Sequence, residues 1–162
     1  MFNFGSSEYS VTEDGVKVTV TVIRSVASAG MATVDYQTTI DGSTATAMED
    51  FNTLPASTLV FAAGVVEKTF DLYIKDDTIY DPDEVVSVTI SNAQSAGNLE
   101  CPVPSIGLQD EASVVIRDTE DISVSFTAAE QQAVEGTSFY VQVVREAMSE
   151  QTIPELMVRS LV

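Results

Sequence analysis

The sequence has no histidine, no tryptophan and a single cysteine, Cys101. Histidine is the commonest general base and a frequent zinc ligand, so its absence excludes the Ser-His-Asp triad and every zinc site that contains histidine. One cysteine cannot form an internal disulfide, a CxxC redox pair or a four-cysteine metal site. Because no base is present to activate it, we interpret Cys101 as a spare thiol rather than a nucleophile.

Carboxylates are the one catalytic group present in quantity, and a pair of them can hydrolyse a glycosidic bond. That chemistry needs a sugar cleft with aromatic platforms, and the sequence has no tryptophan to build one. We therefore predict that the protein is not an enzyme.

Basic residues are also scarce: 7 lysines and arginines stand against 25 acids, which gives a formal net charge of −18. Nucleic acids and anionic membrane surfaces need a basic partner, so we expect neither, whereas cations are favoured. No apolar run approaches the length of a membrane-spanning helix, so we expect no membrane insertion. The N-terminus lacks the basic and apolar regions of a signal peptide. We expect an extracellular or surface protein that is either a piece of a larger chain or is exported or assembled without a cleaved leader.

What the sequence has in abundance is alternation of apolar and polar residues, the pattern of a half-buried β-strand. Every even position from Val16 to Val22 is a valine, and similar runs lie at 34–36, 70–74, 86–90 and 114–116. Residues typical of turns separate these runs. We therefore predict an all-β fold, a two-sheet antiparallel sandwich of about seven strands. The stretch 102–110 is interpreted as a loop without an assignable role.

A weak internal repeat divides the chain in two. Three short motifs recur in the same order, at 2–4 and 124–126, at 11–15 and 133–136, and at 22–24 and 143–145. A spacing this long indicates tandem domains rather than a solenoid. We predict a complete domain over 1–120 and, over 121–162, an incomplete second copy of two or three strands. Because so few strands cannot bury a core, they need a neighbouring domain or another copy of the protein. Chance similarity between two hairpins is the alternative.

Acidic residues gather where the predicted strands end. The runs at 70–74 and 114–116 both lead into acids, and strands that run the same way finish at the same pole of a sandwich. Like charges a few ångströms apart repel by about 1 to 4 kcal/mol per pair at effective dielectric constants of about 80 to 20. A bound hard cation, which takes about six to eight oxygen ligands, is one explanation. The other is that each acid is a solvated turn or capping residue, and the EF-hand loop pattern is absent.

An ordered series of motifs resembles the Calx-β family. The motifs are YSVTE at 9–13, VTVIR at 20–24, TVDYQT at 33–38, DGSTA at 41–45, EDF at 49–51, LVFAAG at 59–64, KTF at 68–70, IKDD at 74–77, DE at 83–84 and VVIRD at 114–118. The resemblance implies an immunoglobulin-like sandwich over about residues 2–120. Domains of this family occur in sodium–calcium exchangers, integrin β4 and many adhesion proteins. In the exchangers, carboxylates of the loops at one pole bind a cluster of calcium ions.

Matched residue by residue, the resemblance implies Ca²⁺ as the bound ion and the following ligands: Glu13, Asp50, Asp76, Asp77, Asp81, Glu84, Asp118 and Glu120. Three departures from the family pattern leave the number of ions open. Phe51 replaces the tyrosine that follows Asp50, Asp81 replaces a longer glutamate, and Thr119 replaces the middle acid of a terminal triplet.

Three functions remain open from the sequence. The first is a calcium-binding, rigidifying module of a larger extracellular or surface assembly, such as an adhesion protein. The second is a structural sandwich in a tandem array that binds no metal. The third is an intracellular calcium sensor of an exchanger-like membrane protein. A melting curve with and without calcium separates the second from the other two.

Overall fold

The structure, a computed structural model, describes residues 1–25, 30–78, 80–95, 103–119, 123–127, 132, 134 and 143–146. The strands are β1 Phe2–Phe4, β2 Glu8–Thr12, β3 Lys17–Arg24, β4 Ala32–Thr39, β5 Ser57–Phe61, β6 Glu67–Tyr73, β7 Glu84–Ser95, β8 Glu111–Arg117, β9 Ser123–Phe126 and β10 Val143–Glu146. A 3-10 turn at Glu13–Gly15 joins β2 to β3. Within these ranges, no helix is long and apolar enough to cross a membrane.

The chain divides into two compact units, which are described separately. Unit 1 comprises Met1–Asp77 and Pro82–Thr119, and unit 2 comprises Thr78–Asp81 and Glu120–Val162. Unit 1 contains β1 to β8, arranged as a three-stranded sheet and a five-stranded sheet. The predicted all-β sandwich is confirmed.

The three-stranded sheet has the order β1-β3-β6, with both neighbouring pairs antiparallel. Successive side chains of a strand point to opposite faces, so Val18, Val20 and Val22 all lie in the core. The alternating run begins later than the sequence suggests, because β3 starts at Lys17. Val16 instead follows the 3-10 turn with a φ of 63° and a side chain that is 63% exposed.

The five-stranded sheet has the order β2-β8-β7-β4-β5. β2 pairs with β8 in parallel, which corrects the prediction of a wholly antiparallel sandwich at this pair. The first segment of the chain is split in two: β1 pairs with β3 in one sheet, and β2 pairs with β8 in the other. This division also gives unit 1 one strand more than the seven expected.

A β-bulge distorts the pairing of β4 with β7, where the register shifts between Thr33 and Asp35. Asn92 in β7 has a φ of 49°, a conformation that asparagine tolerates better than most residues. The Asp35 carboxylate accepts hydrogen bonds from Thr58 Oγ1 at 2.5 Å and from Asn92 Nδ2 at 2.6 Å. These two bonds, with that of Thr58 the larger effect, lower the pKa of Asp35. The bulge is thus held by a local polar network.

The core of unit 1 lies between the two sheets, and two aromatic pairs join them. Phe2 of β1 meets Phe61 of β5 edge to face at 5.0 Å, and Tyr36 of β4 stacks on Phe70 of β6 at 4.2 Å. Each buried large apolar side chain contributes about 1.5 to 3 kcal/mol to folding. These pairs therefore help to hold the two sheets together.

The segment 105–109, for which the sequence suggested no role, runs beside β1. Phe2 N donates to Ser105 O at 2.8 Å, Gly107 N donates to Phe2 O at 2.7 Å, and Phe4 N donates to Gln109 O at 2.8 Å. β1 is therefore hydrogen-bonded on both edges, to β3 and to this segment.

In unit 2, β9 and β10 form an antiparallel pair. The paired residues are Val124 with Arg145, Ser125 with Val144, and Phe126 with Val143. In unit 1, β1 and β3 pair Phe2 with Arg24, Asn3 with Ile23, and Phe4 with Val22. The repeated motifs of the sequence thus pair in the same order and direction in both units.

Candidate metal centre

Strand pairing in unit 1 brings several acidic strand ends together. Thr12, the last residue of β2, is paired with Arg117, the last residue of β8. Glu13 and Asp118 therefore follow directly on two neighbouring strand ends. Glu84 is the first residue of β7 and is paired close to the same end of β8. Three predicted ligands thus come from adjacent strands at one end of the five-stranded sheet.

The three-stranded sheet adds acids to that end. The end of β6 is paired with the start of β3, which the 3-10 turn connects to the end of β2. The pair at 76–77 follows β6 and so lies at this end as well. Asp50 reaches it from the loop between β4 and β5, because Lys75 N donates to Asp50 O at 2.8 Å. We call this end the acidic pole and define it by six residues: Glu13, Asp50, Asp76, Asp77, Glu84 and Asp118.

Burial differs among these carboxylates. Glu13 is only 8% exposed, and the Oδ2 atom of the half-buried Asp118 is shielded from solvent. Asp76 and Asp77 are exposed. Removing a carboxylate from water is costly unless charges or hydrogen-bond donors compensate. The pole therefore combines an inner pair of shielded acids with an outer pair in solvent.

Asp50 is held by its own loop. Thr46 N donates to Asp50 Oδ2 at 2.5 Å, and Asp50 N donates back to Thr46 O at 3.0 Å. These two bonds, one to the side chain and one from the backbone of Asp50, close the turn 46–50. Phe51, the next residue, is 3% exposed and lies in the core, so Asp50 is fixed on both sides.

Two further predicted ligands are not described as part of unit 1. Asp81 belongs to unit 2, and Glu120 lies outside the described residues, as does Cys101. Among the residues that the structure describes, no three acidic or cysteine side chains form a group able to hold a metal ion. The strand ends are thus neighbours, whereas the carboxylates themselves do not converge on one point. Whether the eight predicted residues bind an ion stays a prediction.

The donor chemistry at the pole fits a hard divalent cation. Carboxylate oxygens are the ligands that Ca²⁺ prefers, and the ion accepts irregular geometry with about six to eight of them. Glu13, Asp118 and Glu84 would hold it from the five-stranded sheet, with Asp50 and the pair at 76–77 completing the shell.

Asp71, an acid away from the pole, is bonded by side chains of the neighbouring strand. Asp71 of β6 accepts hydrogen bonds from Lys17 Nζ at 2.6 Å and Thr19 Oγ1 at 2.7 Å. The bond from Lys17 first, and that from Thr19 second, lower the pKa of Asp71. Asp71 is therefore satisfied by the three-stranded sheet, although it lies in the same strand that leads to the pole.

Sequence reasoning missed Lys75, which carries the one positive charge within the IKDD motif. This half-buried lysine bonds the Asp50 loop through its backbone N, and its Nζ donates to Met48 O. Its position before the acidic pair was visible in the sequence. Its contact with a loop some 25 residues earlier in the chain could not be seen there.

These features define a class, an immunoglobulin-like sandwich with an acidic pole. A model of the Calx-beta domain matches residues 1–120, and the chain belongs to this family. No curated protein matches the chain. Among solved structures, the apo form of the Calx CBD1 domain is 26% identical, with a TM-score of 0.63 over 72% of this chain and 95% of that one. The Calx CBD2 domain is 26% identical, with a TM-score of 0.65 over 73% and 86%.

A longer relative is the calcium binding domain CBD12 of CALX1.1. It is 26% identical, with a TM-score of 0.64 over 88% of this chain. The chain spans 55% of that protein's length. The family resemblance found in the sequence is thereby confirmed.

Proposed function

We propose that unit 1 is a calcium-binding module that is stabilised and stiffened by the ion. The observation that carries the proposal is the meeting of five segments, which bear six acids, at one end of the sandwich. Membership of the Calx-beta family and the likeness to a calcium binding domain support the choice of ion. We include Asp81 and Glu120 as further ligands on the strength of the family motif alone.

Calcium acts here through charge. The pole gathers acids in a chain that already carries a net charge of −18. Each close like-charged pair costs about 1 to 4 kcal/mol, and a divalent cation turns that repulsion into attraction. An ion that binds only the folded state adds about 2.7 kcal/mol of stability at a hundredfold excess over its Kd.

The test is the melting temperature in EDTA and in millimolar calcium, for the wild type and two matched variants. We expect calcium to raise the wild-type Tm, and Asp77→Asn to remove most of that rise. Asp41→Asn makes the same chemical change at an exposed turn residue that is not one of the six defining the pole, and it should leave the rise intact. Magnesium should stabilise less, because it requires a small octahedral shell and dehydrates reluctantly. Equal wild-type melting in both buffers would leave only the structural, metal-free function.

We further propose that the module serves a larger extracellular or surface assembly, in which it acts as a rigid, adhesive spacer. A second candidate, the calcium-sensor domain of an exchanger-like membrane protein, is favoured by the likeness to the Calx domains. An antibody against unit 1 distinguishes the two on cells that express the natural protein. Staining of intact cells supports the surface assembly, and staining only after permeabilisation supports the sensor.

For residues 121–162, we propose the start of a second copy of the same fold. The matched pairing of β9 with β10 and of β1 with β3 supports this proposal, because chance similarity does not require a common register. In unit 1, β3 has β6 as a second neighbour. The second copy would need a corresponding strand from a neighbouring domain or another copy of the protein.

A further inference from the structure

We infer that Lys75 is a positioning residue for the calcium site, which keeps Asp50 at the acidic pole by anchoring the loop 46–51. This inference rests on the proposed function and assigns a role to Lys75, which bonds this loop through both its backbone and its side chain.

Lys75 holds the loop at two points. Its backbone N donates to Asp50 O at 2.8 Å, which continues the edge of β6 beyond Ile74. Its ammonium group folds back and donates to Met48 O. The backbone bond survives any substitution except proline, whereas the side-chain bond is specific to a long donor at this position.

The loop needs such an anchor because its backbone is strained. Met48 has a φ of 73°, in the left-handed region that side chains other than glycine rarely adopt. Such a conformation persists only where several contacts enforce it. Met48 N donates to Phe51 O at 2.8 Å, and Lys75 holds the carbonyl of the same residue. Between them, these bonds keep the Thr46–Asp50 turn closed and the Asp50 carboxylate in place.

Charge alone predicts the opposite effect. A lysine next to the pole repels an approaching cation, so removal of its charge should strengthen calcium binding. If Lys75 anchors the loop, removal of its side chain should weaken calcium binding. The Asp50 carboxylate would then have to be ordered when the ion binds, which lowers the affinity. The sign of the change therefore separates the two roles.

The experiment compares Lys75→Met with Lys75→Arg and with Lys68→Met as the charge control. Lys68 is exposed on β6, the strand that precedes Lys75, and is paired near the end of β3 that is far from the pole. Two measurements are made on the full chain: calcium affinity by titration calorimetry, and exchange of the Thr46, Met48 and Asp50 amides in EDTA.

We expect Lys75→Met to weaken calcium binding by about tenfold, the lower end of effects seen when residues that support metal ligands are removed. Exchange of the three loop amides should accelerate in EDTA, while Lys75→Arg and Lys68→Met stay close to the wild type. Unchanged exchange in Lys75→Met would refute the anchor. Faster exchange with equal or tighter calcium binding would refute the positioning role. Absence of binding by the wild type would refute the proposed function and with it the positioning role, whereas exchange in EDTA would still report on the anchor.

Discussion

Gly107 provides a sharp steric test of how β1 is fixed in unit 1. A Cβ placed on Gly107 would lie 2.0 Å from Asn3 Oδ1, 2.6 Å from Cγ and 2.7 Å from Nδ2. All three distances are shorter than any ordinary contact, so the whole Asn3 amide or the segment 105–109 must move. The φ of Gly107 is outside the left-handed region, so the cost of Gly107→Ala is one of space alone.

Neither movement is free. Displacing the Asn3 amide breaks the bond in which Gln109 N donates to Asn3 Oδ1 at 3.2 Å. Displacing the segment stretches the 2.7 Å bond from Gly107 N to Phe2 O. A lost hydrogen bond costs about 0.5 to 1.5 kcal/mol, and overpacking costs about 1 to 3 kcal/mol. We therefore expect Gly107→Ala to lower the free energy of unfolding by about 2 kcal/mol.

Urea unfolding measures this loss as a lower midpoint at an unchanged slope. The double variant Asn3→Ala, Gly107→Ala is the internal control, because the smaller residue at position 3 removes the clash. We expect it to be more stable than the sum of the two single effects predicts, by about 1 kcal/mol. Wild-type stability of Gly107→Ala, or strict additivity in the double variant, would show that 105–109 does not pack on Asn3 as described.

Three further outcomes are expected. Val16→Gly should raise the free energy of unfolding by about 1 kcal/mol in thermal melts, because glycine is unstrained at a φ of 63°. Val16→Ala should raise it less, and a lower Tm for the glycine variant would contradict the prediction. Asp71, whose pKa is lowered from 3.8, stabilises the fold fully above that value and progressively less as pH falls through its lower folded pKa. An NMR titration should show Lys17→Met returning this pKa towards 3.8. Residues 122–162 expressed alone should show no cooperative unfolding, and a sharp transition would refute the incomplete second copy.

The strands of unit 1 were predictable because burial of one face imposes a period of two. Val18, Val20 and Val22 follow that rule, and the residues between them face outward. The rule fails at Val16, where the backbone turns, because apolar character alone does not reveal that a chain has left its strand. The parallel pairing of β2 was likewise hidden, since a change of sheet leaves the alternation intact.

The positions of the acid-bearing strand ends were predictable from the sequence, whereas the contacts that orient each acid were not. Acids after apolar runs indicate strand ends, and β6 and β8 end at the same pole of the sandwich, as their shared direction predicted. The contacts that orient each acid join distant parts of the chain. Lys75 anchors a loop whose sequence gives no sign of its partner, and Thr46 binds Asp50 through a backbone N–H that every residue except proline has.

The parallel pairing of β2 with β8 has a mechanical consequence. β2 lies near the beginning of unit 1 and β8 near its end, so tension along the chain pulls the start of one strand and the finish of the other in opposite directions. In a parallel pair this force acts along the strands, and the hydrogen bonds across Glu8–Thr12 carry the load together rather than opening one after another. The acidic pole adjoins the ends of both strands, at Glu13 and Asp118. An ion bridging them would tie the two strands at the point where a stretched sandwich begins to slide apart.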